Sequence, residues 1–167
     1  MPTLWLGLIL LIALMQTGCH GYNLGNQQLF RADIRTVHVP MFESDSYRRF
    51  IGQKMTEATI KEIEKSTPLT IAEPTLADSF LQGRIVRDRK TVNGENISDE
   101  PRSLQVEYRL EVSWVDRAGA PLMQRQSVRI DNDVDFIPEG GQSITTAQNE
   151  LFNRMARQIV GQMEIPW

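Results

Sequence analysis

A chain of 167 residues, 41% hydrophobic and 23% charged, suits one globular domain and leaves little room for a second. Its formal net charge of −3 excludes a strongly basic nucleic-acid binder, and its single cysteine excludes an internal disulfide. The cations are skewed, 14 Arg against 4 Lys; this reads first as a compositional habit of the source and second as a supply of bidentate partners for carboxylate or phosphate.

Residues 4–15, LWLGLILLIALM, carry no charge and no polar side chain. The run is shorter than the roughly 20 residues a helix needs to cross a bilayer. It matches the apolar region of a secretory signal, about 7–15 residues long. Thr17, Gly18 and Cys19 follow it. A small residue before a cysteine, behind such a run, resembles a bacterial lipobox. There the signal is cut before the cysteine and the thiol receives a lipid. Two positions depart from the pattern: Gln16 stands where Leu is usual, and no Lys or Arg precedes the apolar run. The reading assigns 1–18 as signal peptide, Cys19 as lipidation site, 19–30 as a polar tether and 31–167 as one domain. His20, and not Asp, follows Cys19; among lipoproteins of Gram-negative bacteria this favours the outer membrane. Several acyl chains anchor firmly, at about 0.8 kcal/mol per buried CH₂.

Residues 34–42, IRTVHVPMF, are rich in β-branched residues and predict a strand, with Pro40 at its end or edge. The spacing of Tyr47, Ile51, Met55 and Ala58 predicts a helix over 46–65, capped by Ser46 and stopped by Ser66, Thr67 and Pro68. Strands are predicted over 69–73 and 78–92, with a loop at 93–102. The clearest strand is 104–115. Leu104, Val106, Tyr108, Leu110, Val112 and Trp114 alternate with Gln105, Glu107, Arg109, Glu111 and Ser113, giving one buried and one wet face. A turn at 116–121 returns the chain through 122–136 as an antiparallel partner, and 137–143 is a loop. Leu151, Phe152, Met155, Ala156, Ile159, Val160 and Met163 mark the apolar side of a last helix, with Gln148, Asn153, Arg154, Arg157 and Gln158 outside. Thr145 and Gln148 form a capping-box pattern at its start, and Pro166 ends it.

Two amphipathic helices and a one-faced sheet must bury their apolar sides together. The economical architecture is a two-layer α/β (α+β) sandwich, with both helices on one face of a roughly four-stranded mixed sheet. The other sheet face, bearing Glu107, Arg109 and Glu111, stays polar.

Little in the chain points to catalysis. His20 and His38 form no metal pair and no triad with Cys19. Asp131, Asp133 and Asp135 alternate like part of a calcium loop, but Phe136 stands where that loop needs glycine. No cofactor, no metal and no enzymatic activity are expected. One basic cluster stands out: Arg84, Arg87, Arg89 and Lys90. On a regular strand Arg87 and Arg89 share one face, and Arg84 and Lys90 the other. The plainer reading is a charged strand that blocks edge-to-edge pairing. The functional one is contact of Arg87, Arg89 and Lys90 with an anionic ligand such as a lipid phosphate.

The segments GCHGYNL at 18–24, IRTVHVPMFES at 34–44, ADSFLQGRI at 77–85 and the closing helix ending in Trp167 resemble, in that order, the lipopolysaccharide-assembly lipoproteins of the LptE family. Here His20 is inserted between Cys19 and Gly21. The resemblance implies a two-helix, four-stranded sandwich, outer-membrane location on the periplasmic side, and a role as plug and assembly partner of an LptD-like β-barrel. Lipopolysaccharide would be the ligand, and nucleic acid would not be a partner. TVHVPMF followed by a helix is also similar to periplasmic lipoproteins of the curli-secretion and penicillin-binding-protein-activator kind, which act as assembly or activator modules.

Overall fold

A computed structural model describes residues 29–95, 101–137, 141 and 143–165. The signal peptide, Cys19, most of the tether, the Pro166 stop and the centre of the 93–102 loop lie outside the described residues.

The chain runs β1 (Thr36–His38), β2 (Glu43–Ser44), α1 (Ile51–Ser66), β3 (Thr70–Ile71), β4 (Ser79–Glu95), β5 (Pro101–Asp116), β6 (Val128–Phe136) and α2 (Ile144–Met163). One sheet takes the order β3-β1-β4-β5-β6, and β2 pairs with β4 beyond β1. The pairs β1–β3, β1–β4 and β2–β4 are parallel; β4–β5 and β5–β6 are antiparallel. Both helices lie on one face, as the patterning requires. The sheet has six strands, two more than expected, because the 34–42 and 69–73 segments supply the short strands β1 and β3, and Glu43–Ser44 adds β2, beside the long β4–β5–β6 strands. The β4–β5 hairpin extends further than its composition suggests: the expected loop at 93–102 is strand up to Glu95 and again from Pro101.

The helix-facing row of β5 forms the floor of the core. Leu104, Val106, Tyr108, Leu110, Val112 and Trp114 are all at most 6% exposed. Against them pack Met55 and Ile63 of α1 and Leu151, Phe152, Met155 and Ile159 of α2. The Trp114 indole N–H donates to the Ser79 hydroxyl at 3.0 Å, and that hydroxyl donates to the Thr36 carbonyl at 2.9 Å. Three strands are thus tied at one buried point. Beside it, Asp78 accepts from the backbone N–H groups of Arg35 and Thr36. The Thr36 side chain, and then those backbone donors, hold the Asp78 carboxyl below its ordinary value.

Helix α1 departs from its expected start. It begins at Ile51, and Tyr47 is fully exposed instead of lying in the apolar stripe. Ser46 is not its N-cap: the hydroxyl donates to Asp88 and accepts from the Arg48 N–H at 3.0 Å. The residue before the helix is Phe50, in the left-handed region at φ 66°. Two of the six buried residues of α1 are threonines. Thr56 and Thr59 satisfy their hydroxyls by donating to the carbonyls four residues back, at 2.8 Å each. Thr56 also accepts from the Phe42 N–H at 2.9 Å, and a Cβ on Gly52 would sit 2.2 Å from the Phe42 carbonyl oxygen. Helix α1 is therefore docked directly against the chain that enters it.

Helix α2 has the expected apolar side. Its cap is Ser143, whose hydroxyl accepts from the Thr146 N–H at 3.1 Å, not the Thr145–Gln148 pair. Gln148 is buried, not outside, because its amide donates to the Tyr108 hydroxyl at 2.6 Å. No helix among the described residues is long and apolar enough to cross a membrane.

Candidate functional site: the open sheet face

The face of β5 turned away from the helices carries no covering layer among the described residues. Residues directly opposite in an antiparallel pair share a face, so the registers define its rows. Arg87, Arg109 and Asp131 lie in one row; Arg89, Glu107 and Asp133 in the next; Arg84, Glu111 and Arg129 on the other side of the first. Strand β4 presents a basic column, β5 a mixed one, and β6 an acidic column of Asp131, Asp133 and Asp135. The acidic alternation is thus the outward side of a strand, with no cluster that fits a metal among the described residues.

A bulge assembles the basic column. The β4–β5 register shifts between Ile85 and Arg87, so Val86 has no partner. An extra residue turns the following side chains by half a period. Arg84 therefore joins Arg87 and Arg89 on the open face, and Lys90, opposite Val106, points to the other side. The expected division, Arg84 with Lys90, is corrected by this one residue.

Most of the charges are neutralised in place. Arg84 reaches Asp45 at 2.8 Å and Glu43 at 3.8 Å; Arg87 reaches Glu107 at 3.2 Å; Arg129 reaches Glu111 at 3.2 Å; Arg109 pairs with Asp131. Gln105 donates to Asp133 at 2.8 Å. The adjoining carboxylates hold the Arg84 and Arg109 guanidinium groups above their ordinary values. Arg89 and Lys90 are exposed and make no ion pair with any described residue. Of the three expected ligand contacts, Arg87 is paired, Arg89 and Lys90 have no ion-pair partner among the described residues, and Lys90 lies on the opposite side of β4 from the other two. A groove of about 600 Å³ crosses the face, lined among others by Met41, Gln82, Arg84, Glu111 and Gln126.

Sequence reasoning missed a second feature, on the helix-facing side of β4, where Asp88 stands opposite Tyr108. The Asp88 side chain, 5% exposed, takes the Ser46 hydroxyl on Oδ2. Its Oδ1 has no hydrogen bond and is held by charge alone, 3.3 Å from Arg48 Nη1. Burial, and next the Asp88 charge, push the Tyr108 phenol above its ordinary value. Asp88 reads as one more charge in a polar run, so nothing local marks it as buried. His38 plays a structural part: Nδ1 lies 2.9 Å from the Ala72 carbonyl and the ring meets Phe80 edge-on.

A family model for lipopolysaccharide assembly, LptE, matches residues 34–164. No curated protein sequence matches the chain. Among solved structures, an uncharacterised lipoprotein B from Nitrosomonas europaea is similar with TM-score 0.53 and 16% identity, over 84% of this chain and 88% of that one. A protein from Xanthomonas campestris reaches TM-score 0.55 at 11% identity, over 83% and 86%. A hypothetical protein from Chlamydia trachomatis reaches 0.51 at 11%, over 77% and 94%. At these identities the likeness is one of fold.

Proposed function

This chain belongs to the LptE lipopolysaccharide-assembly family, and from that premise we propose that it is a lipoprotein anchored through Cys19 to the periplasmic side of the outer membrane. There it assembles with and plugs an LptD-like β-barrel that inserts lipopolysaccharide into the outer leaflet. The observation that carries this reading is the open sheet face. Twelve positions in four rows, from Arg84 to Asp135, are polar or charged, and most of the charges are paired with one another. A surface of that kind suits the interior of a barrel, which is polar. It does not suit a lipid-facing wall. The protein acts by contact, without chemistry of its own.

Arg89 is the preferred contact on this face for the anionic groups of lipopolysaccharide, with Arg87 beside it once Glu107 is displaced, and Lys90 offers a second cation from the other side of the strand.

The test is a tagged pull-down from detergent-solubilised outer membranes, with partners identified by mass. A large β-barrel in one-to-one yield is expected. Recovery of a cell-wall synthase, or only of further copies of the chain, would sink the translocon reading. The triple change Arg87→Glu, Arg89→Glu, Lys90→Glu is expected to weaken capture of lipopolysaccharide while the domain stays folded. Cys19→Ser is expected to release the protein from membranes into the periplasm.

A further inference from the structure

Two irregularities, at Tyr47 and Val86, meet in one cleft beside β4, a third follows along the chain at Phe50, and the core explains none of them. Tyr47 is fully exposed, on a segment whose neighbours Ser46 and Arg48 are tied down to Asp88. Phe50, three residues on, holds a left-handed backbone that a side chain of its size rarely adopts, and it is 67% exposed. Across the cleft from Tyr47 lies the Val86 bulge. Strained backbone and bulges gather where a surface is shaped for a ligand. A latch of Ser46, Arg48 and Asp88 accounts for the anchoring of this segment. It does not account for an aromatic ring held in solvent above it.

Between the segment and β4 is a cleft of about 390 Å³, lined by Asp45, Ser46, Tyr47, Arg48, Val86, Arg87 and Asp88. Each of its charges has a counter-charge within the protein. Asp45 meets Arg84 at 2.8 Å, Arg48 meets Asp88 at 3.3 Å, and Arg87 meets Glu107 at 3.2 Å. A free anion would have to break one of these pairs. A neutral ligand would not. Hydrogen-bonding capacity remains: the Arg48 and Arg87 guanidinium groups each use Nη1 on these partners, leaving N–H donors, and a carboxylate has more acceptor sites than Arg84 occupies on Asp45. Leftover donors and acceptors around one flat ring match a hydroxyl-rich ring with a C–H face.

We propose that this cleft binds a neutral saccharide, with Tyr47 as the stacking platform and Arg48, Arg87 and Asp45 as hydrogen-bonding groups. The proposal rests on the lipopolysaccharide reading, which makes the ligand the sugar part of that glycolipid. Arg89 and Lys90 then serve its anionic groups separately.

The experiment uses the full chain in detergent micelles, titrated by calorimetry with three probes: a neutral fragment of the core oligosaccharide of lipopolysaccharide freed of phosphate and acidic sugars, tri-N-acetylchitotriose as a neutral cell-wall-type glycan, and inorganic phosphate. The core oligosaccharide is expected to bind. Tyr47→Ala, a change at a fully exposed position, should weaken it by about tenfold, the loss of one ordinary aromatic contact. Tyr47→Phe should restore most of the affinity, which a merely polar role of the phenol would not allow. Chitotriose binding alone, still dependent on Tyr47, would support the saccharide site and overturn lipopolysaccharide as its source. Binding unaffected by Tyr47→Ala, or a response to phosphate without either sugar, would overturn the cleft. Capture of whole lipopolysaccharide through Arg89 and Lys90 with no oligosaccharide binding would overturn it too, and would leave the proposed function standing.

Discussion

Strand β5 has two sides built on different physics. Toward the helices, Leu104 to Trp114 are buried, and their contribution comes from apolar area removed from water. Toward the open face, Glu107, Arg109 and Glu111 stay in contact with solvent and pair sideways with β4 and β6. Exposed ion pairs contribute little, because desolvation and side-chain entropy offset most of the Coulomb attraction. One strand thus separates what holds the domain together from what it presents. The presented side is free to be set by whatever it touches.

Trp114 tests the helix-facing side. It is fully buried and hydrogen-bonded to Ser79, so Trp114→Ala is expected to cost about 3–5 kcal/mol. A denaturant melt showing a loss below about 1 kcal/mol would place the weight of the fold elsewhere. Next comes a change on the same side that adds volume. A Cβ on Gly83 would lie 2.7 Å from the Phe42 ring, which is itself 2% exposed. Gly83→Ala is therefore expected to cost about 1–3 kcal/mol, read in the same melts, by overpacking.

The two helix starts sharpen the point in another way. Ser143 caps α2 in the ordinary manner, and Ser143→Ala is expected to cost about 1 kcal/mol. Ser46 stands in a similar local pattern, yet its hydroxyl is taken by Asp88, 42 residues away. Period-two and period-3.6 patterns are local, which is why β5, the α2 stripe and the two-layer architecture were legible in the sequence. The start of α1 was decided by a long-range bond, and the Arg84 face by a single unpaired residue at Val86. Neither leaves a local mark. Strands β1 and β3 lie inside the stretches expected from their composition, at 34–42 and 69–73, whereas β2 exists only through its pairing with distant β4. Of the candidate ligand contacts, the basic cluster was legible as charge. That Arg87 is neutralised by Glu107, while Arg89 and Lys90 pair with no described residue, was not, because ion pairing across β4–β5 depends on the register.

The smallest expected effect tests the other side of β5. Arg129 and Glu111 approach to 3.2 Å with their side chains 59% and 41% exposed. A double-mutant cycle with Arg129→Ala and Glu111→Ala is expected to give a coupling of about 0.2–1 kcal/mol. It should shrink as salt is raised, since the Debye length falls from about 10 Å at 0.1 M to about 3 Å at 1 M. A salt-insensitive coupling above about 2 kcal/mol would mean that the open face is a structural network in its own right. The small value carries the opposite consequence. Paired charges that barely stabilise the isolated domain keep their value for an environment where water is scarce and counter-charges are fixed, because there the same pairs are screened far less.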